Sequence, residues 1–305
     1  MIPLIITLFI ILNFFVMLYI LYYMTFRNPP ERRKRKKGIT LPVKDKKHQA
    51  TIQEIREKLA SAKYQEITIL NREGQKLYGR YYHNRDNAPV AIMFHGYRSK
   101  ALSDCGGGYK ICCDLGVNIL IPDQRAHGES GGRAITFGIK ERLDCLDWIN
   151  YINDSFASPD IFLVGVSMGG ATVLMASGEE LPANVKGVIS DCSYSSPESI
   201  IRKVITDMNI MQKLVFPLVR LSGIIYGGFD ICSYDAMQAV AKSKLPILLI
   251  HGEGDDFVPC TMAYDIKRSR ECQLLAVPNA THGLSYVYDT QKYTETVINF
   301  IKNLS

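Results

Sequence analysis

The first 26 residues contain no charged side chain, and no Lys or Arg precedes the apolar run they form. The missing basic n-region, the length of the run and the lack of a small-residue cleavage site after it argue against a cleaved signal peptide. The eight cysteines (Cys105, Cys112, Cys113, Cys145, Cys192, Cys232, Cys260 and Cys272) include no CxxC pair and no zinc-ligand spacing. That excludes the common dithiol redox motif and zinc modules, and reads the cysteines as small buried hydrophobes of a reducing compartment. No 20–50-residue repeat or low-complexity tract follows residue 47, so solenoids and arrays are excluded. The glycine run Gly106–Gly108 does not directly follow a strand, so no dinucleotide cofactor is expected, and no metal cluster is expected either. An even spread of positive charge is missing as well. The formal net charge is +6, but residues 27–47 alone hold ten Lys/Arg against Glu31 and Asp45, leaving 26 basic and 28 acidic side chains in residues 48–305. A slightly acidic body removes the support for nucleic-acid binding that the overall charge would suggest.

What is present begins with the run Ile2–Phe26, IPLIITLFIILNFFVMLYILYYMTF. As a helix rising ~1.5 Å per residue it covers a hydrocarbon core of ~30 Å with length to spare. Tyr19, Tyr22 and Tyr23 cluster near its C-terminal end, where amphipathic rings favour the membrane interface. The expectation is a retained transmembrane anchor (1–26), a basic juxtamembrane linker (27–49) and one folded domain (50–305). Basic residues after the span and none before it put the N-terminus outside and the body on the cytoplasmic side. The same basic stretch can attract anionic headgroups, so membrane lipids are expected partners through anchor and linker. The sequence leaves protein partners and oligomeric state open.

In the body, Ala50–Lys63 reads as an amphipathic helix, and Tyr64–Ile69 and Lys76–His83 flank NREG, a hairpin signal with Gly74 at the turn. Short apolar segments then alternate with helix-length ones: Val90–Phe94, Asn118–Pro122, Ile161–Val166, Val185–Ser190, Ile247–His251 and Gln273–Val277. This pattern predicts a mostly parallel, doubly wound α/β sheet with an antiparallel hairpin at its first edge. Ligands of such sheets bind at the carboxyl ends of the strands. About fifty strandless residues between Asp191 and Leu245 break the alternation. The charges Lys213, Arg220 and Asp230 and the glycines Gly223, Gly227 and Gly228 argue against a second span there. Helices capping the active edge, at about 195–243, are expected instead.

Four segments carry chemistry, each at a strand's carboxyl end. Ile161–Gly170 runs from a buried strand through GVSMG (Gly165, Ser167, Gly169) into a helix. A serine on such a sharp turn has its hydroxyl lifted out of the sheet, and side chains at the two glycines would collide with neighbouring elements. MFHGYRS follows Val90–Phe94, so the backbone N–H groups of Tyr97 and Met168 are candidate oxyanion donors. LLIHGEGDDFVP places Asp255 after one strand, and PNATHG places His282 after the next. Asp256 and Asp191 are alternative acids. His95, His127 and His251 read as loop-shaping hydrogen bonders, His48 as a solvated linker residue, His83 as a strand end away from the active edge, and Trp148 as core. The chain order Ser167, Asp255, His282 matches one known order of a nucleophile–acid–base triad.

With PDQRAHGESGG after Asn118–Pro122 (Asp123, Arg125, His127, Gly128, Ser130), residues ~64–304 resemble the α/β-hydrolase superfamily. More narrowly, they are similar to bacterial membrane-anchored hydrolases of the serine aminopeptidase/acyl-hydrolase type. The resemblance implies Ser167 as nucleophile, His282 as general base and acid, and Asp255 as its orienting carboxylate, with no cofactor. Ala126 departs from the glycine common at that position. The implied reaction is cleavage of carboxylic esters, thioesters or small amides, with a lipophilic small-molecule acyl substrate. A membrane-tethered peptidase and a non-catalytic hydrolase-fold scaffold are the alternatives.

Overall fold

The computed structural model describes residues 2–29 and 46–304; residues 30–45, most of the expected basic linker, lie outside them. Helix α1 is Ile2–Thr25, and α2, Lys46–Ser61, begins four residues before the expected start. Strands β1 (Gln65–Leu70) and β2 (Lys76–Tyr82) form the expected hairpin, turning through Gly74 at φ +72°. Then come β3 (Val90–Phe94), α3 (Ala101–Asp104), α4 (Gly106–Leu115), β4 (Asn118–Pro122), α5 (Glu141–Ser155), β5 (Ile161–Val166), α6 (Met168–Ala176) and β6 (Val185–Asp191). The strandless stretch holds α7 (Pro197–Asp207), α8 (Gln212–Ser222), a π-helical turn (Gly223–Gly227) and α9 (Ala236–Lys242). The chain closes with β7 (Ile247–Gly252), α10 (Thr261–Ser269), β8 (Gln273–Val277), α11 (Ser285–Tyr288) and α12 (Thr290–Lys302).

The strands form one eight-stranded sheet in the order β1-β2-β4-β3-β5-β6-β7-β8. β2 pairs antiparallel with β1 and β4, and every later pairing is parallel. β3, β4 and β7 are buried along their whole length, because helices cover both faces of the sheet. One core unites Trp148, Cys145 and Ile152 of α5 with Leu163 of β5 and Leu174 of α6. On the opposite face α12 supplies Tyr293, Val297 and Phe300 against Phe162 and Leu248. Trp148 is therefore a core residue, as its spacing indicated. His48 differs from expectation: it lies on α2 with its ring 4.6 Å from that of Tyr288. An aromatic contact with the body takes it out of the solvated linker.

Among the described residues α1 alone is long and apolar enough to cross a membrane. Its first sixteen residues expose their side chains, whereas Leu18, Tyr22 and the following Phe26 are buried against the body. α8 and the π-helical turn receive it. Tyr19 and Tyr22 meet the ring of Tyr226, whose hydroxyl donates to the Phe15 carbonyl at 2.9 Å.

Candidate active site

The carboxyl edge of the sheet collects the predicted residues. β5 delivers Ser167 at φ +56°, ψ −117°, a left-handed conformation that an L-residue adopts only under constraint. The constraint comes from both sides. A Cβ on Gly165 would run into the Gly169 carbonyl, and one on Gly169 into the Phe94 carbonyl, so β3, β5 and α6 converge at van der Waals limits. The Ser167 N–H donates to the Asp191 carbonyl at 2.8 Å. Although Ser167 stands at the N-cap of α6, its hydroxyl makes no capping bond. It faces His282 Nε2 at 2.9 Å.

On the far side of that ring, His282 Nδ1 lies 2.7 Å from Asp255 Oδ2. The loop after β7 fixes Asp255 through Oδ1, which accepts the N–H groups of Phe257 (3.0 Å) and Val258 (2.8 Å). Burial by itself would raise this carboxyl. Hydrogen bonds from His251 and His282 and the attraction of the His282 ring outweigh it and hold the group down at about 2. Asp255 therefore stays ionised and can hold one imidazole tautomer. The neighbouring Asp256 is exposed. Asp191 is buried, 3.1 Å from the Tyr293 hydroxyl and 3.4 Å from that of Ser285.

The loop after β3 lies directly over the serine, since a Cβ on Gly96 would stand 3.4 Å from Ser167 Cβ. Asp104 ties this loop down, accepting from the Gly96 N–H at 2.8 Å and the Ser99 hydroxyl at 2.7 Å. Tyr97 follows Gly96 there, and Met168 opens α6, where backbone N–H groups have no helical acceptor. His95 and His127 shape loops as expected: His127 Nδ1 lies 2.9 Å from the Arg125 carbonyl, and Nε2 accepts the Arg98 N–H at 2.9 Å. His251 does likewise through Val258 O at 2.8 Å, and also comes within 3.4 Å of Asp255 Oδ2.

Sequence spacing gave no sign of three further neighbours. Phe257 packs edge-on to His282 with centroids 5.1 Å apart. Phe137 stacks on Tyr97 at 5.1 Å, next to Tyr194. Cys192, at φ +47°, puts Sγ 4.0 Å from His282 Nε2. Cys192, Asp255 and His282 thus offer possible ligand atoms within 4.8 Å of one another. Burial pushes the Cys192 thiol well up, away from the thiolate a metal needs. Asp255 and Ser167 already occupy the two ring nitrogens of His282, so the donors suit proton transfer better than metal binding.

Five of the ten non-glycine residues at positive φ among the described residues are neighbours in and around this site. Arg98 (φ +50°), Ala126 (+59°), Phe137 (+55°), Ser167 and Cys192 are all non-glycine residues in the left-handed region. Ala126 shows why glycine is common at its position, since a Cβ in that conformation costs about 1–2 kcal/mol.

The chain also resembles known proteins. Residues 92–215 match the α/β-hydrolase-fold family model. YqkD of Bacillus subtilis, an uncharacterised protein, is 24% identical over 237 residues, covering 76% of this chain and 77% of its own. The monoglyceride lipase of Rattus norvegicus is 25% identical over 250 residues, covering 69% and 80%. An esterase from Pyrococcus furiosus superposes with TM-score 0.67 at 22% identity, covering 81% of this chain and 93% of the esterase. Sheet order, strained serine elbow and these matches agree: the chain has the α/β-hydrolase fold.

Proposed function

We propose that this chain is a serine hydrolase, tethered to a membrane, that cleaves ester, thioester or small amide bonds of lipophilic acyl substrates. The reading rests on the unbroken proton path from Ser167 through His282 to Asp255, with contacts of 2.9 and 2.7 Å. Ser167 Oγ attacks the acyl carbon while its proton passes to His282 Nε2. The carbonyl π electrons move onto oxygen, where the N–H groups of Tyr97 and Met168 meet the charge; each donor is worth about 3 kcal/mol in comparable sites. The imidazolium, steadied by Asp255, returns the proton to the leaving oxygen, sulfur or nitrogen, and the acyl group stays on Ser167. Water then repeats the sequence, releasing the acid and restoring the serine.

The apolar packing beside the oxyanion loop supports an apolar acyl group. Met168, Phe137, Tyr194, Ile200, Phe216 and Val258 belong to one apolar cluster under α7 and α8. Met208, Ile210, Met211 and Leu214 on the α7–α8 corner, with Ile224 and Ile225, expose apolar side chains on the element that receives α1. Relatives named for monoglyceride and ester cleavage lean the same way. For the anchor, the ten basic residues at 27–47 support an N-terminus outside and a cytoplasmic body.

The full chain in detergent micelles is expected to turn over p-nitrophenyl esters and to be labelled by a fluorophosphonate. Ser167→Ala is expected to lose both, with turnover down by about 10⁴-fold or more. Labelling of Ser167→Ala would overturn the nucleophile assignment. A folded wild-type chain that is neither labelled nor active would favour the scaffold reading.

A further inference from the structure

The apolar helix ends inside the body, beside the residues proposed to bind the oxyanion. The last turn of a helix leaves carbonyls without helical partners. Three carbonyls of α1 and its exit are taken up by the loop that follows β3. The Tyr97 hydroxyl donates to the Thr25 carbonyl at 2.7 Å, and Arg98 Nη2 donates to the Met24 and Arg27 carbonyls at 2.7 and 3.1 Å. A cation at this end of a helix is also favoured by its dipole. The Arg98 guanidinium lies 4.7 Å over the Tyr97 ring, so both side chains act as one cap.

The chain leaving α1 then continues into the neighbouring loops. The Ile135 N–H donates to the Phe26 carbonyl at 2.8 Å, and Arg27 forms an antiparallel bridge with Ala134. Buried Asn28 donates Nδ2–H to the Ala126 carbonyl at 2.7 Å. The fully buried Phe26 ring stands edge-on to Phe137 (5.9 Å) and Phe229 (5.1 Å). Three of the strained residues around the site, Arg98, Ala126 and Phe137, are thus each held by a different group between Met24 and Asn28. Strained backbone persists only where its surroundings over-determine it. Part of those surroundings here is the chain from Met24 to Asn28.

We propose that Met24–Asn28 form a positioning element of the hydrolase site, which locks the loop carrying Tyr97 so that its N–H is fixed for the oxyanion. This rests on the reading of Ser167 as nucleophile and of Tyr97 N–H as oxyanion donor. None of Met24–Asn28 is a catalytic residue. They act through the loop, and a donor pre-set in position contributes to the transition state rather than to substrate binding.

The test uses the full chain in micelles, with rates expressed per site titrated by the fluorophosphonate. Tyr97→Phe removes the hydroxyl bond to Thr25 and keeps the ring and the backbone N–H. Asn28→Ala removes the bond to Ala126. Each is expected to lower kcat per titrated site about fivefold to tenfold, the scale of one hydrogen bond, with KM within about twofold. Replacing residues 2–14 with an unrelated apolar sequence of equal length is expected to leave kcat unchanged. Wild-type kcat in both point variants, with Ser167 still labelled, would overturn the inference and leave the hydrolase reading standing. A fall in the number of titratable sites at unchanged kcat per site would also overturn it, as a folding effect. Absence of labelling and activity in the wild type would remove the hydrolase reading itself, and this inference with it.

Discussion

Asp191 and Asp255 are buried carboxylates at the ends of neighbouring strands, and their surroundings push them in opposite directions. Asp255 is held at about 2 by its histidines. Asp191 is raised to about 6 by burial, against the pull of His251 and the Tyr293 hydroxyl bond. A carboxyl raised from 3.8 to about 6 favours the fold fully below pH 3.8, and that contribution is lost as pH rises through 6. At neutral pH Asp191 is therefore a cost that an uncharged isostere avoids. Asp191→Asn is expected to raise Tm at pH 7.5 by roughly 2–4 °C, the shift for about 1 kcal/mol in a domain of this size, and to change little at pH 3.5. Thermal unfolding at the two pH values checks this. At this scale the sequence showed which residues belong at the carboxyl edge, because each follows a readable strand. It left Asp255, Asp256 and Asp191 as rival acids. Only the fold of the loop after β7, with two backbone donors on Asp255, brings that one carboxylate to His282.

The loop between β4 and α5 is the element that joins the hairpin edge to the site. Arg125, almost fully buried, forms a two-pronged ion pair with Asp144 of α5, both bonds 2.7 Å, and a third bond to Glu73 at 2.9 Å. Asn71 of the hairpin turn donates to the same Asp144 at 2.7 Å. Ser130 donates to the Asp123 carbonyl and accepts the Tyr78 N–H of β2. Removing one partner of a buried pair strands the other charge, which costs about 3–5 kcal/mol. Arg125→Ala is expected to lose that much in chemical denaturation, and Ser167 labelling should fall in step with the folded fraction. The hairpin and the alternation of strands and helices were legible because their hydrophobic periods differ. The docking of α8 and the π-helical turn onto α1 was not, since it joins residues some two hundred positions apart and no local pattern marks it.

For the whole molecule, charge and hydropathy divided the chain into an apolar run, a basic stretch and a near-neutral body. The proposed topology predicts that protease added outside sealed right-side-out vesicles leaves the body intact until the membrane is opened; digestion beforehand would reverse the orientation. What composition could not show is where one part ends in space. Phe26 and Asn28 lie beyond the helix in sequence, yet both are buried among loops of the active edge.

A helix gripped in this way has no swivel. Its first sixteen residues, all exposed, make a free rod of about 24 Å, shorter than a hydrocarbon layer of ~30 Å, and a span that falls short draws its flanks toward the bilayer. With its last turn clamped in the protein, in the proposed topology that pull would act on the domain as a rigid whole. Bilayer thickness would then set how closely the mouth of the site approaches the lipid surface. Esters dissolved in the membrane would sense that distance; short esters arriving from water would not.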